Sequence, residues 1–270
     1  MQLTRKIIVA TSLLTGVLAP AADFLLIGVA RAEDPAALPT GKDLMEKFIA
    51  ATGGRAAYEK LTNRTVETRF DIPKLDMSGN ITVIQAAPNK IYSKQELPGF
   101  GVTERGSDGE IVWDRNPATG VRIIDGPERD AVLRELTFNS ELIWESLYKS
   151  AETVGIEDVG GKPAYKVKLV SNDNMVTHQY FDKESGLLVR TETTVPTQQG
   201  NLPMTATVSE YKEFDGIKIP VAVNQEVAGI AMTLTIDKVQ HNTQIPPGTF
   251  DLPDDVKKLK EREAEKARQK

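Results

Sequence analysis

The segment IKIPVAVNQEVAGIAMTLTIDKV, residues 217–239, alternates apolar and polar side chains on both sides of a Gly-containing turn. In the first half every second residue is a branched aliphatic residue: Ile217, Ile219, Val221 and Val223. The second half repeats the pattern with Ile230, Met232, Leu234 and Ile236. A period of two predicts a strand, so the segment predicts an antiparallel hairpin. Pro220 interrupts the first strand, which indicates an edge position or a bulge.

The same period recurs through most of the chain. From Asn63 onward short alternating stretches follow one another, with turn residues such as Ser78-Gly79-Asn80 and Ser107-Asp108-Gly109 between them. After residue 160, strands are predicted over 162–170, 176–182, 187–195 and 204–214. Strands spaced every 8–12 residues with such turns predict an antiparallel meander rather than βαβ units.

Two stretches have a helical period instead. Thr40 is a suitable N-cap with Asp43 three residues later, and Leu44, Phe48 and Ala51 share one face of the helix that follows. Residues 127–150 contain Leu133, Leu136, Ile143, Trp144 and Leu147 at spacings that fit one or two amphipathic helices. A curved sheet of ten or more strands has a concave face that must be filled. The sequence therefore predicts a mainly β fold with helices packed on the concave face of a large curved antiparallel sheet.

Residues 1–32 are predicted to be a secretory signal peptide. A basic start at Arg5 and Lys6 precedes interrupted apolar runs, and Ala30-Arg31-Ala32 matches an A-x-A cleavage site. Ala19-Pro20-Ala21 is an alternative, earlier site. A membrane anchor is disfavoured because Pro20 and Asp23 interrupt the ~20 apolar residues that a span requires. We therefore expect a periplasmic protein with no transmembrane span after cleavage, beginning with a flexible leader at residues 33–39.

Composition and motifs argue against an enzyme. Usage is ordinary for a globular chain, with 40% hydrophobic and 26% charged residues among 270. With no Cys and only His178 and His241, thiolate nucleophiles and the usual metal sites are disfavoured. Residues 155–162 are similar to a phosphate loop, but the lysine comes one position late and Pro163 replaces the Ser or Thr. We predict no catalytic residues, no metal and no cofactor.

Charge argues against a nucleic-acid partner. The predicted signal peptide contains three of the 33 basic residues and one of the 38 acidic ones, so the mature chain has a net charge of −7. Nucleic-acid binders usually have the opposite sign and a basic stripe. Residues 254–270 are almost wholly charged and predict a solvated helix or tail, with a membrane-surface or partner helix as the alternative.

Four short motifs carry a family resemblance. They are SDGEIVWD at residues 107–114, YFDKESGLLVR at 180–190, EYKEFDGIKIP at 210–220 and FDLP at 250–253. With the order of early helix, strands, helical insertion and paired strands, they resemble the LolA/LolB-like lipoprotein-carrier superfamily of the periplasm. The resemblance covers residues 40–253 and implies an unclosed β-barrel whose apolar concave face is lidded by helices. It also implies binding of acyl chains, as in the family's lipoprotein carriers.

The sequence therefore leaves two hypotheses about the function. The first is binding or carrying a hydrophobic ligand, such as a lipid or acyl chain, in lipoprotein or envelope lipid trafficking. The second is a structural or interaction domain with a packed concave face that binds an envelope protein partner. For the first, the candidate ligand-binding residues on the lid and the sheet are Leu136, Phe138, Ile143, Trp144, Leu147, Phe70, Ile219, Val221, Met232 and Leu234.

Overall fold

The computed structural model describes residues 38–197 and 200–269, which form thirteen strands and five α-helices. The strands are β1 (Asn63–Ile72), β2 (Met77–Ala86), β3 (Lys90–Leu97), β4 (Gly101–Ser107), β5 (Val112–Asn116), β6 (Gly120–Ile124), β7 (Tyr148–Val159), β8 (Lys162–Ser171), β9 (Val176–Asp182), β10 (Leu188–Thr197), β11 (Gly200–Phe214), β12 (Ile217–Val227) and β13 (Ile230–His241). The helices are α1 (Gly41–Ala51), α2 (Arg55–Tyr58), α3 (Gly126–Leu136), α4 (Trp144–Leu147) and α5 (Asp254–Arg268), with 3-10 turns at Pro73–Leu75 and Ser140–Ile143. The predicted signal peptide and most of the leader lie outside the described residues.

All thirteen strands belong to one antiparallel sheet in the order β6-β5-β4-β3-β2-β1-β13-β12-β11-β10-β9-β8-β7. The chain runs outward from β1 to the edge strand β6 and crosses to the other edge at β7. It then returns strand by strand until β13 pairs with β1. The crossing segment contains α3, the 3-10 turn Ser140–Ile143 and α4. The two edges do not pair, so the sheet is an open half-barrel, and the predicted fold class is confirmed.

The structure corrects the prediction at the two edge strands. Neither β6 nor β7 was expected, and the second helical segment ends at Leu147 rather than at residue 150. The sequence of β7 is mostly polar and its register against β8 shifts twice, between Tyr148 and Ser150 and between Thr153 and Gly155. Bulges and an exposed edge remove the regular alternation on which strand prediction depends.

Pro220 lies in an interior strand rather than an edge strand. β12 is between β11 and β13, and its register against β11 shifts on both sides of Ala222. The pairing of β12 with β13 begins only at Ala222, so the missing N–H of Pro220 removes no bond to β13. Of the two expectations for this proline, the bulge is the one that the structure has.

The first helix forms as its sequence predicts. The Thr40 hydroxyl accepts a bond from the Asp43 backbone N–H at 3.1 Å, and the Asp43 carboxylate accepts one from the Thr40 backbone N–H at 3.2 Å. This capping box satisfies two N–H groups at the helix start. The helix ends at Ala51 with Thr52 as its C-cap, and the next residue, Gly53, has a φ of 132° and a position where a Cβ would lie 2.2 Å from the Gly216 carbonyl oxygen. Only glycine fits this close approach to the β11–β12 turn.

Four apolar clusters make up the core. Cluster 1 joins α1 and Trp144 to β8 and β9: Leu44, Met45, Phe48, Ile49, Trp144, Val167, Leu169 and Phe181. Cluster 2 joins α2 and Phe138 to the central strands: Tyr58, Leu61, Phe138, Ile217, Ile219 and Val239. Cluster 3 is centred on Phe70, Ile72 and Met77, and cluster 4 on Val112, Ile124 and Val132. We call the sheet face on which α1 to α4 pack the inner face, and the opposite one the outer face.

The C-terminal helix α5 packs near the edge formed by β5 and β6. Arg115 points to the opposite side of β5 from Val112, which packs under α3, and its guanidinium donates to both Asp255 carboxylate oxygens at 2.7 and 3.1 Å. Val256 is fully buried, whereas most of the rest of α5 is exposed. The helix is therefore attached to the outer face by its first turn.

Candidate functional site

The inner face retains a continuous region of half-buried apolar side chains. Directly paired residues in neighbouring strands point to the same face, so the register traces this region from strand to strand. Val208 pairs with Val223, Val223 with Leu234, and Leu234 with Phe70 of cluster 3. We define the inner apolar strip as eight half-buried apolar residues that lie on the inner face of β2, β11, β12 and β13: Ile81, Val83, Met204, Val208, Val223, Met232, Leu234 and Ile236.

Helix α3 lies across this face and is held at both ends. It contacts β5 on one side of the sheet and β10 on the other. Near its C-terminal end, Arg134 donates from Nη1 to Asp173 Oδ1 at 2.5 Å, in the turn between β8 and β9. Both side chains of this ion pair are about four-fifths buried, which weakens solvent screening and favours a fixed position for the helix.

The segment after α3 is anchored on β1 by a buried arginine. Arg64 donates from Nη2 to Asn139 Oδ1 at 3.3 Å and from Nε to His241 Nε2 at 3.0 Å. Its guanidinium lies 5.4 Å from the centre of the Phe138 ring, within cation–π distance. Asn139 also donates to the Tyr58 carbonyl at 2.9 Å, which joins the segment to α2.

Burial shifts the pKa of three side chains in and around this anchor. It lowers the pKa of Arg64 and of His241, because a buried site disfavours the charged form. His241 Nε2 accepts a bond from Arg64, so the ring is neutral and Nδ1 donates to Asp215 Oδ2 at 2.9 Å. Burial also raises the pKa of Tyr58 to about 12.

A cleft of about 480 Å³ opens between α3 and the β8–β9 turn. Its walls combine apolar side chains with the Arg134–Asp173 pair: Asp130, Leu133, Arg134, Thr137, Leu147, Asn172 and Asp173. Its size is within the range of small-ligand sites, but it lies beside α3 rather than on the apolar strip.

The structure distributes the predicted ligand-binding residues over several places. Met232 and Leu234 belong to the inner apolar strip, and Phe70 is buried beside them in cluster 3. Trp144 is buried in cluster 1, Phe138 and Ile219 in cluster 2, and Leu136 packs on cluster 4.

The remaining three predicted residues differ in exposure. Val221 is buried within β12, Leu147 lines the cleft, and Ile143 is 45% exposed and belongs to none of the four clusters. The Ile143 side chain is in contact with solvent at the end of a 3-10 turn.

Sequence reasoning missed most of the strip and the polar groups around it. Ile81 and Val83 alternate with Thr82 and indicated a strand, but nothing local shows which strands lie opposite them. Arg64 was missed because its burial depends on Phe138 and His241, which are distant along the chain.

The described residues contain neither a cluster of metal-ligating side chains nor a membrane-spanning helix. No group of three or more His, Cys, Asp or Glu side chains in residues 38–197 and 200–269 could hold a metal ion. No helix in that same part of the chain has the length and apolar character needed to cross a membrane.

Comparison with known proteins identifies the fold. A LolA superfamily protein from Nitrosomonas europaea superimposes with a TM-score of 0.55 at 13% identity, covering 80% of this chain and 99% of that one. A DUF1329 family protein from Desulfovibrio piger gives 0.53 at 13% identity, covering 78% and 96%. A putative outer membrane lipoprotein-sorting protein domain from Vibrio parahaemolyticus gives 0.50 at 13% identity, covering 78% and 97%. No family model and no curated protein matches the chain. The half-barrel is a LolA-like fold, as the sequence motifs implied.

Proposed function

We propose that this chain is an exported, non-enzymatic protein that binds or carries a hydrophobic ligand with an acyl chain in the periplasm. The inner apolar strip is the site in this proposal, with Met232 and Leu234 from the sequence-based set and Ile81, Val83 and Val223 beside them. In this proposal helix α3 is the cover, since it contacts β5 and β10 on the two sides of the strip, and Leu136 packs on cluster 4 at the β5 side.

The strip is the observation that carries the proposal. Eight apolar side chains of four strands share one face and none of them is fully buried, although Ile81, Met232 and Leu234 pack against cluster 3 and Ile236 packs against cluster 2. Removing apolar surface from water contributes about 25 cal/mol of free energy per Å². A contiguous apolar strip on a concave face is therefore a favourable site for an apolar ligand. One solved structure of the same fold is described as a putative outer membrane lipoprotein-sorting protein domain, which agrees with this chemistry.

A bulky residue on the strip tests the proposal. Ala206 is half-buried and pairs with Gln225 on the inner face of β11, whereas its neighbour Thr207 points to the outer face. Ala206→Trp should fill the space over the strip and weaken binding of a fluorescent polyene fatty acid by roughly tenfold or more. Thr207→Trp is the matched control and should leave the affinity unchanged. A wild-type protein that binds no acyl probe, or equal affinities for both variants, would contradict the proposal.

The second candidate function is an interaction domain for an envelope protein, and edge strand β7 favours it. Val154 and Ile156 are each 44% exposed on this twelve-residue strand, which has no sheet neighbour on its outer side among the described residues. Such an edge can accept a strand from a partner. Native mass spectrometry of protein isolated from the periplasm distinguishes the two functions: a co-purifying lipid supports the first, and a bound polypeptide with no lipid supports the second.

A further inference from the structure

One row of paired residues crosses seven strands of the inner face and changes from apolar to charged along its length. In spatial order the row is Val239, Val66, Val83, Ser93, Arg105, Asp114 and Arg122, from β13 through β1 to β6. Both ends confirm the face: Val66 and Val239 pack with cluster 2, and Arg122 bonds Glu128 of α3.

At the β6 end of the row, the nitrogens of the Arg122 guanidinium are all occupied by hydrogen bonds to two carboxylates. Arg122 donates to both oxygens of Asp114 at 2.6 to 3.0 Å and to both oxygens of Glu128 at 2.6 and 2.8 Å. The Asp114 side chain is 10% exposed and the Glu128 side chain 17%. These two carboxylates and one guanidinium hold a net charge of −1 in a mostly desolvated position.

The positive charge of Arg105 balances the net charge of −1 on Asp114, Glu128 and Arg122, but its N–H groups donate no hydrogen bond to these residues. Its Nη2 lies 3.7 Å from Asp114 Oδ2, which is too long for a hydrogen bond. Within residues 38–197 and 200–269 the Arg105 guanidinium donates no hydrogen bond, whereas Arg64, Arg122 and Arg134 all do. A guanidinium has five N–H donors in a planar fork that matches a carboxylate or a phosphate. Arg105 is 40% exposed, so a ligand can reach it.

The position of Arg105 relates it to the apolar strip. Strands are spaced by about 4.8 Å, so Arg105 on β4 is roughly 10 Å from Val83 on β2. Ser93 lies between them and offers a hydroxyl group. An acyl chain on the strip would therefore place its polar end beside Ser93 and Arg105.

We infer that the ligand is an amphiphile with one apolar chain and one anionic headgroup, and that Arg105 binds the headgroup through its guanidinium fork. The inference rests on the proposed function, because it assigns the headgroup of a ligand whose chain occupies the strip. Carboxylate and phosphate headgroups share the required geometry.

Chain-matched ligands test the inference on the full mature protein. Hexadecanoate, hexadecyl phosphate and hexadecanol have the same chain and differ in the headgroup. We expect the wild type to bind at least one of the anionic ligands roughly tenfold more tightly than the alcohol, with a preference that weakens as salt rises. The better of the two anions identifies the headgroup.

Variants of Arg105 complete the test. Arg105→Gln should remove the preference for the anion and leave hexadecanol binding unchanged, and Arg105→Lys should retain part of it. Arg69→Gln is the matched control, since Arg69 is an exposed arginine of β1 that pairs with Asp237. The unfolding midpoint of each variant shows whether it is folded. If Arg105→Gln is unstable, the salt dependence of ligand binding by the wild type and the affinity of Arg105→Lys for the anions decide the test.

Two results would overturn the inference and are distinguishable. Equal affinity for the alcohol and both anions, or an anion preference that survives Arg105→Gln, would refute the headgroup assignment and leave acyl binding intact. If no ligand binds to the wild type, the proposed function fails and the inference fails with it.

Discussion

Replacement of Trp144 by alanine tests whether residues 140–147, part of the helical segment that was predicted to form a lid, are a packed part of the core. Trp144 was predicted to be a lid residue that contacts a ligand, and it is 6% exposed in cluster 1, against Phe48 of α1 and Phe181 of β9. Its Nε1 donates to Glu46 Oε1 at 3.5 Å, a long bond that contributes little. The adjacent Ile143 is 45% exposed and provides a control in the same segment.

The expected cost follows from this burial. Truncation of a buried Trp or Phe to Ala usually costs 3–5 kcal/mol, and we expect about 4 kcal/mol for Trp144→Ala because the side chain is buried among apolar residues of α1, β8 and β9. For a chain of this size that corresponds to a decrease in Tm of roughly 8–16 °C. Ile143→Ala should cost less than about 1 kcal/mol, since solvent-exposed substitutions have small effects.

Urea unfolding followed by circular dichroism measures both variants without depending on tryptophan fluorescence. The comparison requires equal m-values, so that the midpoint shift reports stability alone. A cost below about 1.5 kcal/mol for Trp144→Ala would refute the reasoning. It would indicate that the segment is loosely packed and opens as a lid, in which case an acyl ligand should also shift Trp144 fluorescence in a Trp113→Phe background.

Three further predictions follow from single contacts. Gly79→Ala should cost about 1–3 kcal/mol in urea unfolding, because a Cβ there would lie 2.2 Å from a β3 carbonyl oxygen, whereas Gly155→Ala, with no atom within 4 Å, should cost nothing. Val256→Ala should cost about 2 kcal/mol and increase hydrogen exchange in α5, because this fully buried side chain joins the helix to the outer face; unchanged exchange would contradict the docking. Burial lowers the pKa of His241, so the stability that the neutral ring confers is present above about pH 6.5 and is lost as the pH falls from there through the lowered pKa. The difference in free energy of unfolding between the wild type and His241→Gln, measured by urea unfolding, should therefore decrease as the pH is lowered from about 7.5 to 5.5. A difference that stays constant over this range would show that the pKa of His241 is not lowered by its burial.

The fold was predictable where local chemistry and tertiary structure agree. The alternation over residues 217–239 gave both of its strands, and the Thr40–Asp43 capping box gave the start of α1. The edge strand β7 was not predictable, because its bulges and polar residues reflect an exposed position that only the sheet order defines.

The candidate site was less predictable, because apolar density along the chain identifies the core as readily as a ligand site. The densest stretch, around Trp144, proved to be buried against α1. The strip and Arg105 instead depend on register, since Val83, Ser93 and Arg105 become neighbours only when β2, β3 and β4 pair. One residue of slippage would turn Arg105 to the outer face.

The cover of the inner face is a consequence of topology. The edges β6 and β7 are separated by twelve strand spacings, which is roughly 58 Å along the sheet. The connection is residues 125–147, in which α3 spans about 17 Å, residues 140–147 about 14 Å and the four others at most about 13 Å. A total reach of roughly 44 Å is shorter than the flat sheet, so β7 can follow β6 only if the sheet curls and brings its edges together. The helices between them then have to cross the open side of the half-barrel. A shorter connection would require tighter curvature. The length of this connection therefore sets an upper limit on the distance between the two edges, and with it a minimum curvature of the sheet.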